Sequence, residues 1–248
     1  MNIASKTLLC HDLIPNTRSS ILMKICKAGG CYTQTNGFSA YCERHKRTKA
    51  RHGHPQQTGV KKSDLNQYLR EIESYLKTVS ASNANNIIGD IWSRTVAKAQ
   101  AHIDGTTRGV SFNVHELQAS KAIVSLSKEA DSGTIGRLLM AMGFWYEDDQ
   151  RRWEYDEGFR FQTVRMLLRL NPREAAYSWS VNGLTRTVYR EIPPRTIRAL
   201  WSAVEETKLV LYGMEIARRK AKGLEAARQK ARAERDAILG SEQNGGTA

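Results

Sequence analysis

The sequence predicts a mainly α-helical protein, with a small cysteine-rich module at its N-terminus, a helical body and a long basic helix at its C-terminus. Three observations carry that prediction. Apolar residues recur at helical spacing through most of the chain after Ser63. All four cysteines, Cys10, Cys26, Cys31 and Cys42, fall within the first 42 of 248 residues. The net charge of +13 gathers toward the two ends. Residues 18–62 hold ten Lys or Arg against Glu43 alone, whereas residues 63–214 hold nineteen basic and eighteen acidic side chains. Residues 215–238 hold eight basic against four acidic. An apolar content of 40 % at this length supplies a sizeable core. No run approaches the roughly eighteen apolar residues of a membrane span. The first residues lack the basic head and apolar stretch of an export signal. The expectation is a cytoplasmic protein with no membrane partner.

In chain order, residues 1–22 read as an N-terminal arm and residues 23–58 as a compact basic module that ends in the linker GHPQQTG. Leu65, Leu69, Ile72, Leu76 and Val79 predict an amphipathic helix behind a Ser63 cap and Asp64. After the polar stretch SASNAN, Ile87, Ile88, Ile91, Trp92, Val96 and Ala99 predict a second helix that stops before Gly105. Residues 63–104 are thus a helical pair. Beyond the break GTTRG, Val114, Leu117, Ala122, Ile123 and Leu126 predict one helix or two short ones up to the turn EADSG. A short helix TIGRLLMAMGF follows, and FWYEDDQRRWEY then reads as a β-hairpin with one aromatic face. GFRFQTVRMLLRL is a further helix that stops at Asn171-Pro172, and residues 173–193 carry no clear period. Pro194 opens a long helix over 194–239, with residues 240–248 as a disordered tail.

The chemistry concentrates in CKAGGCYTQTNGFSAYCERHKRTKARHGHP. Cys26 and Cys31 are separated by four residues that include Gly29-Gly30, and Cys42 and His45 are separated by two. Two close pairs of sulfur and imidazole donors suit tetrahedral zinc, and a helix starting near Cys42 places Cys42 and His45 one turn apart. The alternative is a set of buried cysteines or a disulfide, which a reducing compartment disfavours. Cys10 and His11 form a further CH pair without a matching second pair.

This segment resembles a small Cys/His module of phage and mobile-element proteins, with the pattern C…GC…G.C..H..R.RRHG.P. Cys26, Gly30-Cys31, Gly37, Cys42, His45, Arg51-His52-Gly53 and Pro55 carry the likeness, over about an eighth of the chain. His54 stands where an acidic residue is more usual in that pattern. The resemblance implies structural Zn2+ and contact with double-stranded DNA, in proteins that also carry DNA-binding or HNH nuclease domains.

Arg44, Lys46, Arg47, Lys49, Arg51, His52, Lys61 and Lys62 flank the ligands, and cations on a metal-pinned helix can neutralise phosphates and release counterions. Farther on, helix, turn, helix and hairpin occur in winged-helix order. Residues 110–170 weakly resemble the TxxxIGRxLxxLGF…RRW.Y stretch of winged helices in phage and plasmid proteins. In that arrangement Thr134, Arg137 and Ala141 face solvent on the recognition helix, and Arg151 and Arg152 lie in the wing. The basic half of the C-terminal helix offers three roles: phosphate contact, pairing into a homodimer, or a solvated face.

No GxxxxGK[ST], GxSxG or HExxH occurs, and Glu147-Asp148-Asp149 and Glu205-Glu206 read as solvated acids. The expectation is a non-catalytic, zinc-containing DNA-binding protein. One alternative is an accessory subunit of a recombination, replication or nuclease complex, which an exposed patch of Trp145, Trp153, Trp179 and Trp201 would favour. The other is an HNH-type nuclease relative using His52 and His54.

Overall fold

A computed structural model describes residues 24–35, 38–79, 81–171, 176–181, 184–189 and 191–244. The N-terminal arm with Cys10 and His11, and the last residues of the C-terminal tail, lie outside them. The chain divides into two compact units, Met1–Glu43 and Arg44–Ala248. As the helical periodicity predicts, the protein is mainly helical.

In the first unit, β1 (Lys24–Ile25) pairs antiparallel with β2 (Gln34–Thr35). Gly30, at φ 70°, makes the turn between them, a backbone conformation that costs glycine little. Apart from the cysteines, the buried apolar set here among the described residues is Ala28, with Tyr41 half-buried beside it.

The second unit is built of α1 (Glu43–His52, beginning at its edge), α2 (Lys62–Thr78), α3 (Ala81–Thr107), α4 (Val114–Glu129), α5 (Ser132–Asp148) and α6 (Asp156–Leu168). After these come β3 (Ala176–Val181), β4 (Leu184–Tyr189), α7 (Pro194–Glu206) and α8 (Leu209–Asn244). Helix α5 is the axis of this body. Asp131 caps it by accepting from Thr134 N at 2.9 Å, and every residue from Ile135 to Trp145 except Arg137 is buried. Its chief neighbours are α8, α2 and α3, while α4 packs on α3 and α7. At the α5–α8 crossing a Cβ on Gly143 would lie 1.9 Å from Val210 O, and one on Gly213 1.9 Å from Met140 O. The two glycines let the helix backbones touch.

The hairpin expected at FWYEDDQRRWEY is not there. Helix α5 continues through Phe144, Trp145 and Tyr146, and a 3-10 turn at Gln150–Arg152 leads into α6. The aromatic cluster obeys helical rather than alternating geometry. Trp145 stacks on Tyr68 of α2 at 5.1 Å, and Trp153 folds back against Trp145 at 5.2 Å. The winged-helix order therefore fails at its wing. Ala141 of the expected solvent face is fully buried, because α5 is surrounded rather than half-exposed.

The two-stranded ribbon lies instead at β3–β4, with Val181 opposite Leu184, in the stretch that carries no clear period. SASNAN, expected as a turn, contributes to α3, and α3 runs through Gly105 to Thr107. Residues 114–129 form a single helix. Helix α2 begins at Lys62, and Asp64 accepts from Lys61 N at 3.1 Å instead of Ser63 serving as cap. The helix expected over 194–239 breaks at Thr207-Lys208, where Lys208 takes φ 59°, and then α8 runs on to Asn244, through part of the expected tail. Trp145, Trp153 and Trp201 are core residues, so they offer no exposed aromatic patch; the side chain of Trp179 lies outside the described residues.

Among the described residues no helix is long and apolar enough to cross a membrane.

Candidate metal centre

Cys26 follows β1, Cys31 closes the loop before β2, and Cys42 immediately precedes α1, whose third residue is His45. Backbone hydrogen bonds fix the loop: Cys26 N donates to Thr33 O at 2.9 Å, Lys27 N to Ala40 O at 2.9 Å and Cys31 N to Ala28 O at 3.0 Å. Gathered by this scaffold, the ligating atoms of Cys26, Cys31, Cys42 and His45 all lie within 4.8 Å of one another. The sulfur of Cys26 accepts from Cys42 N at 3.4 Å. Hydrogen bonding to Thr33, whose Oγ1 lies 3.4 Å from Sγ, draws the Cys31 thiol down from 9.0 to about 6.

The donor set fits a metal ion. Three soft thiolates and one imidazole form a Cys3His set, for which zinc is the plausible ion, and the compact cluster needs little adjustment to reach tetrahedral bond lengths of about 2.0–2.3 Å. Among the described residues Ala28 is the one buried apolar side chain here besides the cysteines, so a metal staple would contribute much of what holds this segment closed.

Arg44, Lys46, Arg47, Lys49 and Arg51 are exposed along α1, and Lys61 and Lys62 are exposed where α2 begins. Arg51 forms an ion pair with Glu191. His52 is placed differently from the lysines and arginines around it. Its Nδ1 accepts from Gln162 Nε2 at 2.8 Å, and Gln162 Oε1 accepts from Val60 N at 3.0 Å. Burial, then the positive fields of Arg165, Arg51 and Arg169, push the His52 pKa down to about 4, so the ring is neutral.

The rest of the HGHP turn is a seat for α6. Gly53, at φ 83°, lies so close that a Cβ would meet Glu157 O at 2.7 Å, and His54 packs on Tyr155 at 4.9 Å. Gln57, 1 % exposed, accepts from Glu154 N at 3.2 Å and donates to Thr58 O at 3.1 Å.

The residues of the expected winged helix lie on α5 and on the 3-10 turn after it. Thr134 is exposed in the first turn of α5, and Arg137 donates to Thr134 Oγ1 at 3.3 Å and approaches Asp131 at 3.8 Å and Asn85 at 3.5 Å. Arg151 is exposed. Arg152 donates to Thr58 Oγ1 at 2.6 Å and Gly59 O at 3.0 Å and lies over the rings of Trp145 and Trp153. Sequence reasoning missed Arg165, Arg169 and Glu191, which the fold brings to the end of α1. Their signal, a Gln162, Arg165, Arg169 stripe at spacings of three and four, was present in the helix predicted there.

No protein-family model, no curated protein and no solved structure matches this chain.

Proposed function

We propose that this chain is a zinc-containing, non-catalytic DNA-binding protein of phage or mobile-element type, which positions or regulates double-stranded DNA. The observation that carries the reading is the joining of a Cys3His cluster to an exposed basic helix. His45 is both a candidate ligand and the third residue of α1, so the ion would pin the helix that displays Arg44, Arg47 and Lys49. Fixed cations lose less side-chain freedom on meeting a phosphate backbone, and the counterions they release drive binding. Nothing in this chemistry reads sequence. The four-donor set would fill a tetrahedral shell, leaving no position for the activated water of a hydrolytic site. His52 and His54 hold α6 in place, which weighs against a nuclease role for them.

The accessory-subunit reading has one observation in its favour. Val79, Ile87, Leu211 and Tyr212 are exposed around one apolar groove, in which a protein partner could seat a side chain.

The test is duplex binding across salt concentrations by the zinc-loaded chain and by the variant with Arg44, Arg47 and Lys49 all changed to Gln. Loss of up to about three units of salt slope supports the reading. An unchanged slope removes the basic flank from the account, and metal-dependent cleavage of the duplex by the wild type overturns the non-catalytic assignment.

A further inference from the structure

Helix α6 and its following residue turn Gln162, Arg165 and Arg169 toward the end of α1 and the segment after it. Arg165 Nη1 donates to Arg51 O at 3.4 Å, and Arg169 Nη1 donates to Val60 O at 2.6 Å. Arg51 itself extends outward to Glu191. Arg165 thus lies in the electrostatic field of both Arg169 and Arg51, while Arg47, one turn earlier on α1, also acts on Glu191. Among the described residues Glu191 is the one carboxylate acting on Arg165. The Nε of Arg165 is buried without a hydrogen-bond partner.

Three guanidinium groups, those of Arg47, Arg51 and Arg165, act on the Glu191 carboxylate, and Arg169 adds a fourth positive charge in the field of Arg165, which leaves a local excess of positive charge. Capping the carbonyls of Arg51 and Val60 accounts for where Arg165 and Arg169 point. It does not require two charged side chains, since a neutral donor would satisfy each carbonyl. Like charges held close raise the free energy of the unbound protein and lower that of a complex with a polyanion. Glu191 is a surface group, 73 % exposed in its side chain, so its ion pair with Arg51 is easily exchanged.

We propose that Arg47, Arg51, Arg165 and Arg169 form a phosphate-contacting patch on the helical body, and that Glu191 is its built-in competitor, holding Arg51 until a DNA phosphate displaces it. The proposal rests on the DNA-binding reading and extends it from the exposed flank of α1 to α6. A purely structural ion pair and a competitor predict opposite signs for one substitution. Removing a structural partner leaves affinity unchanged or lowers it, whereas removing a competitor raises it.

The experiment is fluorescence anisotropy of a labelled duplex with the full zinc-loaded chain as wild type, Glu191→Gln, Arg51→Gln and the double variant. Glu191→Gln alters one exposed side chain and is checked for folding by tryptophan fluorescence. The expected result is binding tightened on the order of two- to fivefold at low salt, with the gain absent in the Arg51→Gln background. Arg165→Gln should weaken binding, with a salt slope reduced by about one unit. Unchanged or weaker binding by Glu191→Gln overturns the competitor and the patch. If the wild type binds and loses affinity in the Arg44, Arg47 and Lys49 variant while Glu191→Gln has no effect, the flank of α1 stands and the patch falls. If the wild type binds no duplex, both fall.

Discussion

At the residue scale, the structure separates side chains that would serve a metal from side chains that serve packing, although both kinds lie within one short segment. Cys26, Cys31, Cys42 and His45 converge, and the spacing of the two pairs made that convergence legible, because ligand pairs separated by four and by two residues reach one ion through a tight turn and a helical turn. The role of His52 was not legible. It resembles a phosphate contact in sequence, but its partner, Gln162, lies 110 residues away and is brought to it by tertiary packing alone.

Two predictions belong to this scale. Changing Cys31 to Ser should abolish stoichiometric zinc binding, because metal affinity in such a small module is folding energy on the order of 10 kcal/mol. Elemental analysis of purified protein reads this directly, and a variant retaining one zinc per chain would remove Cys31 from the site. The second concerns pH. His52 is held near 4 in the folded chain against 6.5 for the free side chain, so its neutral form stabilises the fold. That contribution is complete above about pH 6.5 and is lost as pH falls toward 4, where the unfolded chain binds a proton that the folded chain does not. After allowance for partial exposure it amounts to about 1–2 kcal/mol. Urea unfolding followed by tryptophan fluorescence should show a shallower loss of stability between pH 6.5 and 4.5 in His52→Gln than in wild type. Equal slopes would show that His52 titrates normally.

At the scale of elements, helical spacing located most helices but not their neighbours. Helix α5 was misread because a helix surrounded on all sides has no polar face to reveal its period, and the contiguous Phe144, Trp145 and Tyr146 imitate the face of a strand. The true hairpin did carry a signal, Asn182-Gly183 between two β-prone runs, which is the dipeptide that two-residue hairpins favour. Gly213 lies within α8, and the structure gives it a contact role at the crossing with α5. Gly213→Ala should therefore destabilise the body by about 1–3 kcal/mol or more, since the new methyl group meets backbone rather than a movable side chain. Gly223, with nothing within 4 Å of a Cβ, provides the control. Gly223→Ala should instead raise helicity, consistent with the roughly 1 kcal/mol difference in propensity. Thermal unfolding by circular dichroism compares the two, and a neutral Gly213→Ala would mean that α5 and α8 are not in backbone contact.

At the scale of the whole molecule, charge and burial divide the labour. The body is nearly neutral and holds the aromatic core, while α1 and α8 each carry a surplus of basic residues. Residues 218–235 of α8 are exposed on every side, a projection of about 27 Å at 1.5 Å per residue. Its root is tied by ion pairs of Arg218 with Glu147 at 2.9 Å and Lys220 with Glu71 at 2.6 Å. Truncation after Ala221 spares those pairs and removes Lys222, Arg228, Lys230, Arg232 and Arg235. Its melting temperature should stay near that of the full chain while the salt slope of DNA binding falls by roughly one to three units, about one for each phosphate that the shortened helix no longer neutralises. A large drop in melting temperature would show that the projecting half is part of the fold.

The most direct measurement of the central claim, that zinc holds a basic surface in place for DNA, is duplex affinity as a function of salt for the same preparation before chelation, after chelation and after zinc is restored. The account predicts a linear fall of log affinity with log salt for the loaded protein, a drop in affinity on chelation on the order of tenfold or more, and recovery with zinc. Affinity and slope that stay unchanged when the metal is removed would contradict it.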